Sequence, residues 1–176
     1  MPRVTRYLTL AAAMLFAPAA RAQCLPAVCA LAVTIQSDAS GIALGGSGSS
    51  AATMAFGTMQ AYGGTVPTGV TRTVGATNWT ISTPFDIKVS CTNLLNLLPC
   101  TLIISPTYTL TAQLQSADGT NTWKIGSSTL SSATPLTLAT AGTYGNVVPY
   151  TFALTIPFTE AAGTISNTIN FVAVSN

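Results

Sequence analysis

The sequence predicts an all-β chain folded as an antiparallel β-sandwich. Three observations predict it. Apolar residues recur with period 2 in stretch after stretch, which sets them on one face of a strand. The alternating runs are short and follow one another at roughly 8–12 residues, the spacing of sandwich strands. Beyond residue 22 no stretch carries a helical period.

The clearest stretch covers residues 147–174. Val148, Tyr150, Phe152, Leu154, Ile156 and Phe158 share one parity, with threonines and small residues between them. Glu160-Ala161-Ala162-Gly163 interrupts the alternation. A second run then sets Ile165, Ile169, Phe171 and Ala173 against Thr164, Ser166, Thr168 and Asn170. Two alternating runs around a short glycine-containing turn predict a β-hairpin whose inner face needs a second sheet to cover it.

The chain opens with a signal for export. Arg3 and Arg6 form a basic start, Leu8 to Ala17 a short apolar core, and Ala20-Arg21-Ala22 a small-x-small cleavage site. The apolar run falls short of the roughly 20 residues that span a membrane. Gln23 stands before Cys24 where lipid attachment calls for a small residue. The expected organisation is a signal peptide over 1–22, an N-terminal strand with a Gly/Ser-rich linker over 23–52, and a sandwich domain over 53–176. The expected product is secreted or displayed at the cell surface, with no membrane insertion after cleavage.

Cleavage changes the charge. The chain has a formal net charge of +2, but Arg3, Arg6 and Arg21 leave with the signal. Arg72, Lys88 and Lys124 then face Asp38, Asp86, Asp118 and Glu160, a net of −1. No basic patch is left for nucleic acid or anionic lipid. Charged residues are 6% of the sequence, against roughly 25% in ordinary soluble chains. So few charges give strand edges little protection against pairing with other strands, which suits a protein that associates through them.

The body of the chain reads as strands in series. Leu31, Val33 and Ile35 alternate with Ala32, Thr34 and Gln36. A Gly/Ser-rich connection follows; its GGSGSS lacks the Lys-Ser/Thr ending and the helix of a phosphate cradle. Thr53 to Gly57 reads as a short strand and Val70 to Val74 as another. Trp79 to Ser82 begins a strand, and Pro84 separates it from the alternating Phe85, Ile87, Val89 and Cys91. Tyr108, Leu110, Ala112 and Leu114 continue the parity of Leu102 and Ile104 across Pro106. Asp118-Gly119 marks a turn. Trp123 and Ile125 open the next strand, Leu130, Leu136 and Leu138 lie in short runs around Pro135, and residues 141–146 form a loop. Asn78-Trp79-Thr80 is a glycosylation sequon, relevant in a eukaryote.

Four cysteines, Cys24, Cys29, Cys91 and Cys100, fit disulfides in an exported chain. Local pairing, Cys24–Cys29 with Cys91–Cys100, is the simplest connectivity; the alternatives tie the N-terminus to the domain body. A zinc site would need all four cysteines at unsuitable spacings. Between Cys91 and Cys100 lie Leu94, Leu95, Leu97 and Leu98, either a cap over the core or an exposed apolar tip.

Catalytic chemistry is poorly provided for. The absence of histidine removes Ser-His-Asp and Cys-His arrangements and most metal sites. Asp86 and Glu160 could be imagined as a glycosidase pair, but a strand's polar face and a turn are ordinary places for solvated carboxylates. The expectation is a protein that is no enzyme and has no metal or cofactor.

Three segments carry a family resemblance: MAFGTM at 54–59, FDIKVSCTN at 85–93 and PYTFALTIPFTEAAGTISNTINFVAV at 149–174. Phe56-Gly57, Val89-Ser90-Cys91 and Ala162-Gly163-Thr164-Ile165-Ser166-Asn167-Thr168 resemble motifs of the spore coat protein U group, secreted sandwich domains related to the pilins of archaic chaperone–usher systems. Ile165 departs from that pattern, where tyrosine is common. The resemblance implies an immunoglobulin-like, pilin-like sandwich that is a structural subunit of a surface fibre or coat. It implies like subunits, or a periplasmic chaperone and usher, as partners, and assembly by strand addition. Leu31, Val33 and Ile35 are then candidates for a donated strand; the same alternation fits the domain's own first strand. A carbohydrate- or surface-binding module, using Tyr62, Trp79 or Trp123 or the leucine loop, is the alternative.

Overall fold

The computed structural model describes residues 29–36, 51–52, 56, 58–93 and 106–176. Among them every regular element is a strand. In order these are β1 (Cys29–Gln36), β2 (Ala51–Ala52), β3 (Thr71–Val74), β4 (Asn78–Asn93), β5 (Thr107–Leu114), β6 (Thr122–Ile125), β7 (Ser128–Thr129), β8 (Leu136–Thr143), β9 (Val147–Pro157) and β10 (Ile169–Ser175). They form two antiparallel sheets. The larger runs β1-β4-β9-β6-β7, with β3 also on β4, and the smaller runs β2-β10-β5-β8.

The predicted alternation sets the core. Ile81, Phe85, Ile87 and Val89 of β4 and Phe152, Leu154 and Ile156 of β9 are buried from the larger sheet. Tyr108, Leu110, Ala112 and Leu114 of β5 and Ile169 and Phe171 of β10 meet them from the smaller. Phe85 and Phe171 touch across the interior with ring centroids 6.3 Å apart. Each such side chain removed from water contributes about 1.5–3 kcal/mol, so two half-apolar sheets hold together as a sandwich.

Three expectations change. The predicted hairpin does not form: β9 pairs with β4 and β6 in the larger sheet, and β10 pairs with β5 and β2 in the smaller. Residues 158–168 carry the chain across the core instead. Both strands need a facing sheet, and each meets that need better by joining a different one. Pro84 does not divide its strand either, since β4 runs unbroken through 16 residues. β1 lies opposite residues 86–93 and β3 opposite 79–82 of the same edge. Residues 83–85 fall between them, and a residue without an amide hydrogen fits where the edge has a gap. Finally, β8 continues to Thr143, into the span expected to be loop. The expected strand over 53–57 lies mostly outside the described residues, and Phe56 itself stacks on Phe152 at 5.8 Å outside any strand.

Asp118 secures the β5–β6 turn. Its carboxylate accepts from the amides of Thr120 and Asn121 at 3.0 and 2.9 Å and from Trp123 Nε1 at 2.7 Å. Burial works to raise its pKa, but these hydrogen bonds, with those from the Asn121 side chain, hold it below the usual value. Trp123 is thereby fixed in the core, packed on Phe152.

Candidate functional site

The smaller sheet has β10 near one margin, and its pairing there is uneven. On one side β10 pairs with β5 at seven successive positions, from Ile169↔Leu114 to Ser175↔Tyr108, without a register shift. On the other, β2 reaches only Ile169 and Asn170. From Phe171 to Ser175 no described strand lies along that margin.

Backbone hydrogen bonds fix which groups point there. Gln115 N donates to Thr168 O at 2.8 Å and Asn176 N donates to Thr107 O at 3.1 Å, so the even-numbered residues turn toward β5. Alternation then turns the N–H and C=O of Phe171, Ala173 and Ser175 toward the margin away from β5. The Phe171 side chain is buried, whereas Val172 and Val174 lie on the outer face, 52% and 58% exposed. No residue of β10 is charged. β1, at the margin of the larger sheet, lies close to β10. Such an edge can form a ladder with an added strand while presenting an apolar interior for its side chains.

The residues singled out from sequence are distributed as follows. Val33 and Ile35 are buried and Leu31 half-buried, with β1 in register along its own chain's β4 from Cys29↔Asn93 to Gln36↔Asp86. In a single chain this segment is therefore a strand of the domain's own larger sheet. Cys91 is half-buried and disulfide-bonded. Cys29 belongs to β1, and Cys24 and Cys100 lie outside the described residues, as do Leu94, Leu95, Leu97 and Leu98. Trp79 packs against the core and Trp123 is buried, which leaves Tyr62 as the exposed member of the three aromatics.

Asp86 and Glu160 are far apart. Asp86 is opposite Pro149, and Glu160 follows the end of β9 at Pro157. At about 3.3 Å per residue, some 25 Å of strand separates them, beyond the spacing of a glycosidase pair. Among the described residues no three or more metal-binding side chains cluster, and no helix is long and apolar enough to cross a membrane.

The residues of the β10 margin were not distinguished by their sequence. Their alternation marks an inner and an outer face, as it does for every strand of this chain. The scarcity of charge was the available signal, and it does not point to one strand. Comparison with known proteins finds no matching family model, curated protein or solved structure.

Proposed function

We propose that this chain is a non-enzymatic structural subunit of a secreted surface fibre or coat, an immunoglobulin-like sandwich that assembles by β-strand addition. The observation that carries the reading is the β10 margin: five residues in regular register with β5, without charge, and with no described strand beyond them. A strand from a like subunit, or from a periplasmic chaperone before assembly, would satisfy the backbone groups of Phe171, Ala173 and Ser175. The export signal and the low charge agree with a protein that works outside the cell and tolerates contact with its own kind.

Two proline substitutions test this. Ala173→Pro removes an amide that faces the opening and leaves the β5 ladder intact. The purified variant should stay folded and monomeric by light scattering at concentrations where the natural chain polymerises. Val172→Pro removes an amide facing β5, leaves its β5 acceptor unpaired and should lower stability by about 1–3 kcal/mol. A natural chain that stays monomeric with or without its chaperone, or an Ala173→Pro variant that polymerises normally, contradicts the reading.

A further inference from the structure

A second surface stands just past the end of β9 at Pro157. Tyr62, in the loop before β3, is 67% exposed, and Phe158, just past β9, is 38% exposed. Their rings are nearly parallel, 17° apart in plane with centroids at 5.7 Å. Phe158 thus lies against part of one face of Tyr62, while most of the tyrosine stays exposed. An exposed aromatic ring held flat from behind is unusual where most apolar groups are scattered or buried.

The loop is braced in that position. Arg72 Nη1 donates to Gln60 O at 2.7 Å and also to Gly63 O, so the guanidinium holds the backbone on both sides of Tyr62. Phe158 N donates to Thr77 O at 3.0 Å, which anchors the backing ring. Gly63 and Gly64 both have positive φ, and a Cβ on Gly63 would meet nothing within 4 Å. The turn beside Tyr62 therefore leaves free space. The Gln60 side chain lies against Gly64, its Oε1 at 3.5 Å from that residue's Cβ position, and brings an exposed amide to the rim.

We propose that Tyr62, backed by Phe158, is a stacking platform for a neutral pyranose of a glycan. The apolar C–H face of a sugar ring matches the free face of the tyrosine in size and chemistry, and the Gln60 amide and the tyrosine hydroxyl answer its hydroxyls. The site is suited to a neutral sugar because its one cation, Arg72, is directed at the loop's own carbonyls. The platform is independent of the β10 margin. A fibre of such subunits would repeat it, so that weak single sites add by multivalency.

The test uses the unglycosylated full-length protein and three soluble neutral probes, cellohexaose, mannohexaose and maltohexaose, each titrated by calorimetry and by NMR. At least one should bind and shift the Tyr62 and Phe158 ring resonances. Tyr62→Ala should weaken that binding about tenfold, and Tyr62→Trp should retain it. The exposed position of Tyr62 leaves the fold of both variants intact, which their NMR spectra check. The proposal is overturned if none of the three probes binds, if Tyr62→Ala binds as well as the natural chain, or if the shifts map elsewhere. None of these outcomes bears on strand addition, which is read from polymerisation.

Discussion

β8 and β10 both flank β5, and only one of them follows it evenly. β10 matches β5 residue for residue over seven positions. β8 slips twice, between Tyr108 and Leu110 and again between Leu110 and Thr111. The slips bend the β8 side of the sheet, and an irregular margin is a poor template for another strand. Next to the first slip, Gly142 faces the Tyr108 ring so closely that an added Cβ would come within 2.3 Å of it. One margin of this sheet is blunted and the other is left regular. On the proposed reading, the regular margin is the better template of the two for an added strand.

The irregular margin predicts a loss of stability without a loss of assembly. Gly142→Ala drives a methyl group into the buried Tyr108 ring, which already packs on Tyr144 at 5.2 Å. Overpacking of this kind costs about 1–3 kcal/mol, to be read from urea denaturation of the monomer. An unchanged midpoint would mean that β8 moves away freely and that the slips are not held by packing. Assembly by the folded fraction should persist, because β10 is untouched.

A smaller effect is expected at the turn that leaves β5 for the larger sheet. Asp118→Asn keeps the shape of the side chain but removes the charge that accepts from Thr120, Asn121 and Trp123. The expected loss is about 1 kcal/mol, reduced from the buried-group value because the carboxylate is partly solvated. The sign with pH follows from the lowered pKa. The stabilisation is present above the ordinary carboxylate value and is lost as pH falls through the folded-state value, when the native carboxylate must protonate. The natural chain should thus lose stability on acidification more steeply than Asp118→Asn; equal slopes would exclude this carboxylate as the cause.

Much of the sandwich was legible because burial and period 2 are the same signal seen twice. Phe85, Ile87, Val89, Phe152, Leu154, Ile156 and Phe171 lie inside on the parity their alternation predicts. Partners were not legible. Alternation fixes the face of a strand and says nothing of its neighbours, so β9 and β10, adjacent in sequence, were read as a hairpin although they occupy different sheets. Pro84 misled for a related reason: its lack of an amide matters only if a strand lies on that side. Tyr62 stood out from its sequence, but Phe158 did not, because it continues the parity of β9 and emerges only where the strand stops. That no described strand follows the margin of β10 beyond Asn170 depends on the paths of other segments, and no residue within β10 encodes it alone.

Backbone hydrogen exchange tests the account of that margin most directly. In the monomer, the amides of Val172 and Val174 should be protected by β5, while those of Phe171, Ala173 and Ser175 exchange at rates near those of an unstructured chain. In assembled protein the latter three should become protected as well. Protection of all five in the monomer would mean that the chain covers its own edge, and unchanged exchange on assembly would mean that subunits meet elsewhere; either result contradicts strand addition at β10.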